Sequence, residues 1–489
     1  MKRSLVQQDG LSTAKKTKAE SDEEELVLPT RAPGLSSVPL TKPTPKLASI
    51  FQPRTLTTSA SSTNGTSTST GLKWLDPIGA SKTCLHGLYG GPQPNAKVAF
   101  YDLDGTIVRP KNHKTFPSKT DEYDFEFLFS TRPAGTLSVI ERIRQQHLEG
   151  FAIVVITNQK QTAYAAKSGL ATWKKKMGHI AGAIDVPMRV FAALGDDEYR
   201  KPRLGMWTEF LRQNGGVELD KEQSFFVGDA AGRKKYRDHQ DTDLKWALNA
   251  GIGFYTPEEY FLKRDKEYEV PMRPWSPSAL KQSNGTLKGL VSEPEDDMVT
   301  VELSSIDKDA GAAGTILGSD HDAKAPEIVL FVGAPASGKT FLFNRIFEPA
   351  SYVHVNQDTL RTREKCLRVV RDTVDAGQSC VVDNTNRDRA TRKHYIDLAR
   401  TLNARIRCIY FDVPKHVCVH NNHFRAHHGP TSSEEVKRSL LPYTAIESWF
   451  KDRQPPRREE GFDAEVVRVV WGWSGGDEEV EKMYKMYYH

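Results

Sequence analysis

A chain of 489 residues is longer than one hydrophobic core usually organises, so two or three folded units are expected. With 38% hydrophobic and 27% charged residues, it has no apolar run long enough to span a bilayer, and the opening MKRSLVQQDG has no h-region for secretion. No membrane partner is therefore expected, and the net charge of +5 permits a nucleic-acid partner without requiring one.

The five cysteines (Cys84, Cys366, Cys380, Cys408 and Cys418) are odd in number and show no C-x-x-C spacing. That excludes a disulfide framework or a cysteine-built zinc site and fits a reducing compartment.

Residues 1–72 read as a disordered tail, with "SDEEE", then "TLTTSASSTNGTSTSTG", and few aromatics. Two basic clusters, Lys2-Arg3 and Lys15-Lys16-Thr17-Lys18, have the spacing of a bipartite nuclear-localisation signal, to be read by an import factor. A nuclear location is expected on that ground, the alternative being an ordinary solvated tail.

Over 73–265 the strand-like runs "KVAFYDLDGT", "FAIVVITNQ", "RVFAAL" and "SFFVGDA" alternate with amphipathic stretches such as "GTLSVIERIRQQHLEG". That alternation predicts a parallel α/β sheet. Residues 266–325, rich in Pro, Ser, Gly and Asp, read as a linker. A second series over 326–489 comprises "EIVLFVGAP", "YVHVNQD", "SCVVDNTN", "RIRCIYFDV" and "AEVVRVVW", and predicts a second α/β unit.

The first unit carries Asp102 and Asp104 just after an apolar strand, followed by Gly105 and Thr106. Two carboxylates belong at the carboxyl edge of such a sheet, where α/β ligands bind. One can attack phosphorus, and the other can protonate the leaving oxygen and then deprotonate water. Their charge and that of a phosphate call for a hard cation such as Mg²⁺. Later strand ends supply Thr157 and Asn158 as donors to phosphate, Lys201 as a fixed positive charge and Asp229 as a further metal carboxylate. Singly, these could be a helix cap, a surface lysine and a turn residue. The run "WKKK" at Trp173–Lys176 fits either a nucleic-acid contact or a solvated helix face.

The second unit contains GAPASGKT from Gly333 to Thr340, between a strand and the helical "FLFNRIF". It fits G-x-x-x-x-G-K-[ST], a cradle for ATP or GTP in which Gly333 and Gly338 shape the loop, Lys339 reaches the β/γ oxygens and Thr340 helps hold Mg²⁺. Asp358 ends the next strand and suits a general base or, equally well locally, a helix N-cap. Asp383 and Asn384 end another strand, and Arg387, Arg389 and Arg392 follow, which suits a polyanionic acceptor. Arg425 lies in "CVHNNHFRAHHGP", a segment able to close over a transferring phosphoryl group. The histidines around it (His420, His423, His427 and His428) lack a cysteine or carboxylate at ligand spacing.

In "VAFYDLDGT", "TNQ", "RKP" and "GDAAGR" the first unit resembles the haloacid-dehalogenase-like phosphohydrolases. Followed by GxxxxGK[ST], "VNxD", "DNTN" and "HNNxFR", the whole order resembles the polynucleotide kinase 3′-phosphatase family over about 72–470. The resemblance implies a haloacid-dehalogenase-like phosphatase followed by a P-loop kinase, acting on DNA with 3′-phosphate and 5′-hydroxyl ends and using ATP and Mg²⁺. It implies Asp102 as nucleophile and Asp104 as general acid/base, both also at the metal with Asp229. Thr157 and Lys201 would grip phosphate. Lys339, Thr340 and Arg425 would handle ATP, Asp358 would activate the 5′-hydroxyl, and Arg392 with Arg387 would meet nucleic acid. The family often has Arg where Gln357 and His423 stand; Arg361, three residues after Asp358, is the nearest cation to the first. The first 70 or so residues are too short and polar for the phosphopeptide-binding β-sandwich of the mammalian type, so the shorter form is expected, as a monomer. RNA end healing is the alternative with the same active sites. A small-molecule phosphatase fused to a metabolite kinase and a non-catalytic end-binding scaffold are less consistent with the arginines and the intact carboxylates.

Overall fold

The computed structural model describes residues 71–114, 118–159, 166–271, 298–305, 310–318, 325–429, 438–472 and 478–489. The expected tail with its two basic clusters lies outside them. The first series comprises β1 (Lys73–Trp74), β2 (Cys84–Tyr89), β3 (Val98–Tyr101), β4 (Val108–Arg109), β5 (Glu126–Phe127), α1 (Val139–Leu148), β6 (Ala152–Asn158) and α2 (Ala166–Ile184). It continues through β7 (Met188–Ala193), α3 (Gly205–Gln213), β8 (Phe225–Val227), α4 (Thr242–Ala250), β9 (Gly253–Tyr255) and α5 (Pro257–Leu262).

These strands form a sheet in the order β1-β2-β7-β6-β3-β8-β9. It is parallel from β7 to β9, while β2 runs antiparallel to β7. The central strands are apolar on both faces because helices cover both sides. Ala99 and Tyr101 of β3 join one core with Ile153 and Val155 of β6. Val98 and Phe100 join the opposite core with Val154 and Ile156, as the two-residue strand period requires. The chain crosses from β6 and β7 on one side of β3 to β8 and β9 on the other. The crevice at the carboxyl end of β3 is thus a topological switch point, where α/β sheets bind ligands.

The second series begins with β10 (Met298–Glu302), α6 (Ala310–Leu317), β11 (Glu327–Gly333) and α7 (Lys339–Leu342), which continues as a π turn over Phe343–Phe347. Next come β12 (Val353–Val355), α8 (Gln357–Leu360), α9 (Arg363–Asp375), β13 (Cys380–Val382), α10 (Arg389–Thr401) and β14 (Arg405–Phe411). α11 (Lys415–His428), α12 (Tyr443–Asp452), β15 (Val466–Val470) and α13 (Glu478–Tyr484) complete it. Its sheet is parallel throughout, ordered β10-β15-β14-β11-β13-β12, with β11 central and its switch point beside β13.

One expectation needs correcting. Met298–Glu302, inside the stretch read as linker, is an edge strand pairing with β15. Its alternation is weak, with exposed Val299 and Thr300, so the composition of its neighbours concealed it.

The segment 478–489 touches both series. Tyr484 and Tyr488 cluster with Phe424 of α11. Asn249 in α4 donates to the carbonyls of Pro202 (2.9 Å) and Tyr487 (2.8 Å), and Arg203 donates to that of Tyr488 (3.2 Å). This segment therefore ties the second series to the loop that carries Lys201. The five cysteines are free and buried, and among the described residues no helix is long and apolar enough to cross a membrane.

Candidate active sites

The first site forms where β3, β6 and β8 end side by side. Asp102 follows β3 and continues its ladder, its N–H donating to the Val227 carbonyl (2.9 Å). Lys201 Nζ donates to Asp102 Oδ1 (2.6 Å) and to the Ile156 carbonyl (2.9 Å), and lies 2.7 Å from Asp243 Oδ1. These three acceptors match an ammonium's three protons. Lys201 is 3% exposed, and burial alone would lower its pKa, but Asp102 and Asp243 outweigh that and raise it. Asp102, also buried, is pushed up to about 7, first by burial against the opposing pull of Lys201, then by Asp243. Burial and the charges of Asp102 and Asp243 drive the carboxyl of Asp229 well above the usual range.

Oxygens of Asp102, Asp229 and Asp243 lie within 4.8 Å of one another. Three carboxylates face one ammonium, and burial together with their mutual repulsion raises two of them. This all-oxygen donor set with excess negative charge fits a hard divalent cation. Close approach depends on glycine. Gly105 has φ +87°, and a Cβ there would collide with Asp229 Oδ2.

Asp104 is not one of the trio: the chain turns at Gly105, and the Asp104 side chain is 41% exposed, 3.8 Å from Lys176 Nζ. Its Oδ2 accepts from Gln159 Nε2 (2.7 Å). The third carboxylate is instead Asp243, which the sequence reading missed. Thr157 is buried, its hydroxyl accepting from Gln159 (3.0 Å). Asn158, expected on phosphate, spends its amide on the backbone of Lys201, donating to the carbonyl (3.1 Å) and accepting from the N–H (2.9 Å). It positions the lysine loop.

The second site gathers at the carboxyl end of β11. Gly333 ends that strand, and Gly338 caps α7 at the other end of the loop. Lys339 Nζ donates to the carbonyls of Gly333 (3.1 Å) and Ala334 (2.7 Å), and burial lowers its pKa. The Thr340 hydroxyl donates to Asp383 Oδ2 (2.8 Å), which also lies 3.0 Å from His354 Nε2. Burial would raise the Asp383 pKa, but the His354 hydrogen bond, Lys339 and Thr340 hold it below the usual range. Asp358 is exposed in α8, and Asn356 provides the N-cap, accepting from the Asp358 N–H (2.7 Å). Capping α8 is thus done without the Asp358 carboxylate.

The expected lid segment is the helix α11. Asn421 donates to the Ala336 carbonyl in the loop (3.1 Å), setting α11 on the phosphate cradle. Arg425 donates to Asn422 Oδ1 (3.1 Å), while its buried Nε meets no hydrogen-bond partner among the described residues. Burial, then nearby Arg438, lowers its pKa to about 10. His420 is fully buried with Nε2 2.8 Å from the Tyr484 carbonyl.

Beside the loop, a groove of about 620 Å³ is lined by Gln357, Arg361, Arg363, Arg387, Thr391 and Trp449, among others. Arg387 is partly exposed there, 3.4 Å from Asp452. Arg392, expected alongside it, is 0% exposed. Its guanidinium holds Glu460 through two hydrogen bonds (2.7 and 2.6 Å) and the carbonyls of Asn386 and Gln454 (3.1 and 2.9 Å). It is a structural arginine with no donor turned to a polyanion. It lines the core side of α10 with Tyr395, Ile396 and Ala399, at spacings of three, four and seven.

Comparison with known proteins agrees with this geometry. A family profile described as polynucleotide kinase 3 phosphatase matches residues 97–261, and one described as AAA domain matches 328–445. The chain is 31% identical over 376 residues to the bifunctional polynucleotide phosphatase/kinase of Schizosaccharomyces pombe, covering 76% of this chain and 80% of that protein. It is 29% identical over 394 residues to a putative bifunctional polynucleotide phosphatase/kinase of Acanthamoeba polyphaga mimivirus, covering 75% and 83%. It is also 33% identical over 186 residues to the polynucleotide 3′-phosphatase ZDP of Arabidopsis thaliana, covering 35% of this chain and 25% of that protein.

Proposed function

Because the chain belongs to the bifunctional polynucleotide phosphatase/kinase family, we propose that it removes 3′-phosphate and phosphorylates 5′-hydroxyl at DNA strand breaks, restoring ends a ligase can join. The observation that carries the phosphatase half is the cluster of buried Asp102, Asp243 and Lys201 with half-buried Asp229 at the carboxyl edge of the first sheet.

In the first reaction an oxygen of Asp102 attacks the terminal phosphorus, and the bond from phosphorus to the 3′-oxygen breaks. Asp104 gives that oxygen a proton, then takes one from the water that hydrolyses the aspartyl phosphate. Lys201, fixed by Asn158, keeps positive charge beside the nucleophile. Mg²⁺ held by Asp102, Asp229 and Asp243 would offset the negative charge of the phosphate. In the second reaction Asp358 accepts the proton of the 5′-hydroxyl. Lys339 and Arg425 bring positive charge to the triphosphate of ATP, and Thr340 with Asp383 would hold its Mg²⁺. The arginine-lined groove takes the acceptor strand.

The test is a nicked duplex bearing 3′-phosphate and 5′-hydroxyl, made in DNA and in RNA, with ATP and Mg²⁺. Asp102→Ala is expected to abolish 3′ dephosphorylation and spare 5′ phosphorylation, and Lys339→Ala to do the reverse. Failure to process the DNA duplex at either end overturns the proposal, and faster processing of the RNA version assigns the enzyme to RNA. A nuclear, monomeric enzyme is proposed with it. A fluorescent fusion lacking residues 1–20 should lose nuclear accumulation.

A further inference from the structure

α2 carries Trp173-Lys174-Lys175-Lys176. Only part of this run is available to a polyanion. Trp173, Lys176, Met177 and Ile180 share the inward face at spacings of three, four and seven. Trp173 is buried against Trp74 (ring centroids 5.6 Å apart), and Met177 and Ile180 are fully buried. Lys175 pairs with Glu122 at the surface (3.3 Å). Lys176 is 4% exposed on the core stripe, where a methylene chain fits and an ammonium is costly. A charge kept there needs a partner, and its Nζ stands 3.8 Å from Asp104 Oδ1. Asp124 is the other carboxylate whose charge it meets.

Asp104 is thus held from two sides, by Lys176 at Oδ1 and by the Gln159 amide at Oδ2, the same amide reaching Thr157. The grip matters because the Asp104 side chain is partly exposed and lies at the start of a turn, so little packing fixes its rotamer. An acid/base carboxyl works only within hydrogen-bond reach of the oxygen it serves. We infer that Lys176 is a positioning residue for the phosphatase reaction, holding Asp104 against the leaving oxygen. The inference rests on the proposed acid/base role of Asp104.

The experiment uses the full chain and two strands that differ in one atom, one ending in an ordinary 3′-phosphate and one in a phosphate on a bridging 3′-sulfur. A thiolate leaves without a proton, so only the oxygen strand needs Asp104 as an acid. In single turnover, Lys176→Met is expected to slow the oxygen strand about 10-fold with little change in KM, and the sulfur strand less than about 2-fold. Lys176→Arg should recover most of the loss, and Lys176→Gln, which also removes the charge, should behave as the methionine does. Unchanged 5′-kinase turnover reports the fold. Wild-type speed on the oxygen strand, or equal loss on both strands, overturns the inference. Asp104→Asn separates the two levels. If it cripples the oxygen strand while Lys176→Met and Lys176→Gln do not, the inference alone falls. If Asp104→Asn keeps full speed, the acid/base reading falls and takes the inference with it.

Discussion

Lys201 and Lys339 are both buried lysines at the strand ends of parallel sheets, and their surroundings are opposite. Lys201 sits between two carboxylates, with its pKa raised, in a site whose carboxylates still outnumber its cations. Lys339 donates to two neutral carbonyls and its pKa is lowered, as is that of Arg425 nearby. The first site gathers carboxylates and fits a divalent cation. The second buries an ammonium and a guanidinium beside the phosphate loop and fits a triphosphate, with Asp383 left for its counter-ion. One chain thus accommodates two phosphate chemistries because desolvation magnifies charge of either sign.

The largest effect that sharpens this contrast is expected at Asp243. Asp243→Asn removes one of three carboxylates and one partner of Lys201, so 3′-phosphatase kcat should fall roughly 10³-fold, with a higher Mg²⁺ requirement and an unchanged kinase. Equal loss of both activities would break the division into two charge-opposed sites. Next comes Arg392→Met. Stranding the buried Glu460 should cost about 3 kcal/mol in denaturant unfolding, without a change in KM for the acceptor strand. A KM effect without destabilisation would return Arg392 to the nucleic-acid surface.

Acid tests the second series through His420. Burial lowers its pKa from 6.5 to about 3, so below pH 6.5 the unfolded chain binds a proton that the fold refuses. Stability from this group is therefore full above pH 6.5 and is lost progressively toward pH 3. At pH 5 the loss is about 2 kcal/mol, and His420→Leu should remove that part of the slope in melts run from pH 7 to 5. The smallest effect is expected at Arg387. Arg387→Ala should raise KM for a 5′-hydroxyl strand about threefold and flatten its salt dependence, leaving 3′-phosphatase rates alone.

Much of this was legible along the chain. The apolar runs marked the central strands because parallel strands are buried on both faces, and the phosphate loop declared itself by spacing and flanks. Asp102, Lys201, Lys339 and Thr340 were named from local pattern, since each ends or follows such a strand. Asp243 was not, because it opens the helical "TDLKWALNA", where an aspartate reads as favourable helix-start charge. What makes it a site residue is the approach of α4 to β8, with Gly228 leaving no Cβ where Asp243 Oδ2 would be 2.5 Å away. Arg389 and Arg392 look alike in sequence, yet one is exposed and the other has no exposed surface.

The two α/β series, the strand-end carboxylates and the phosphate loop can be read along the chain, because they depend on hydrophobic period and on neighbours within a few residues. Which of several similar charges share a site is settled only by the packed fold. Asp243 joins Asp102 and Asp229, Asp104 turns toward Lys176 and Gln159, and Arg392 closes on Glu460. Those choices follow from helix packing and desolvation across tens of residues, which no local pattern records.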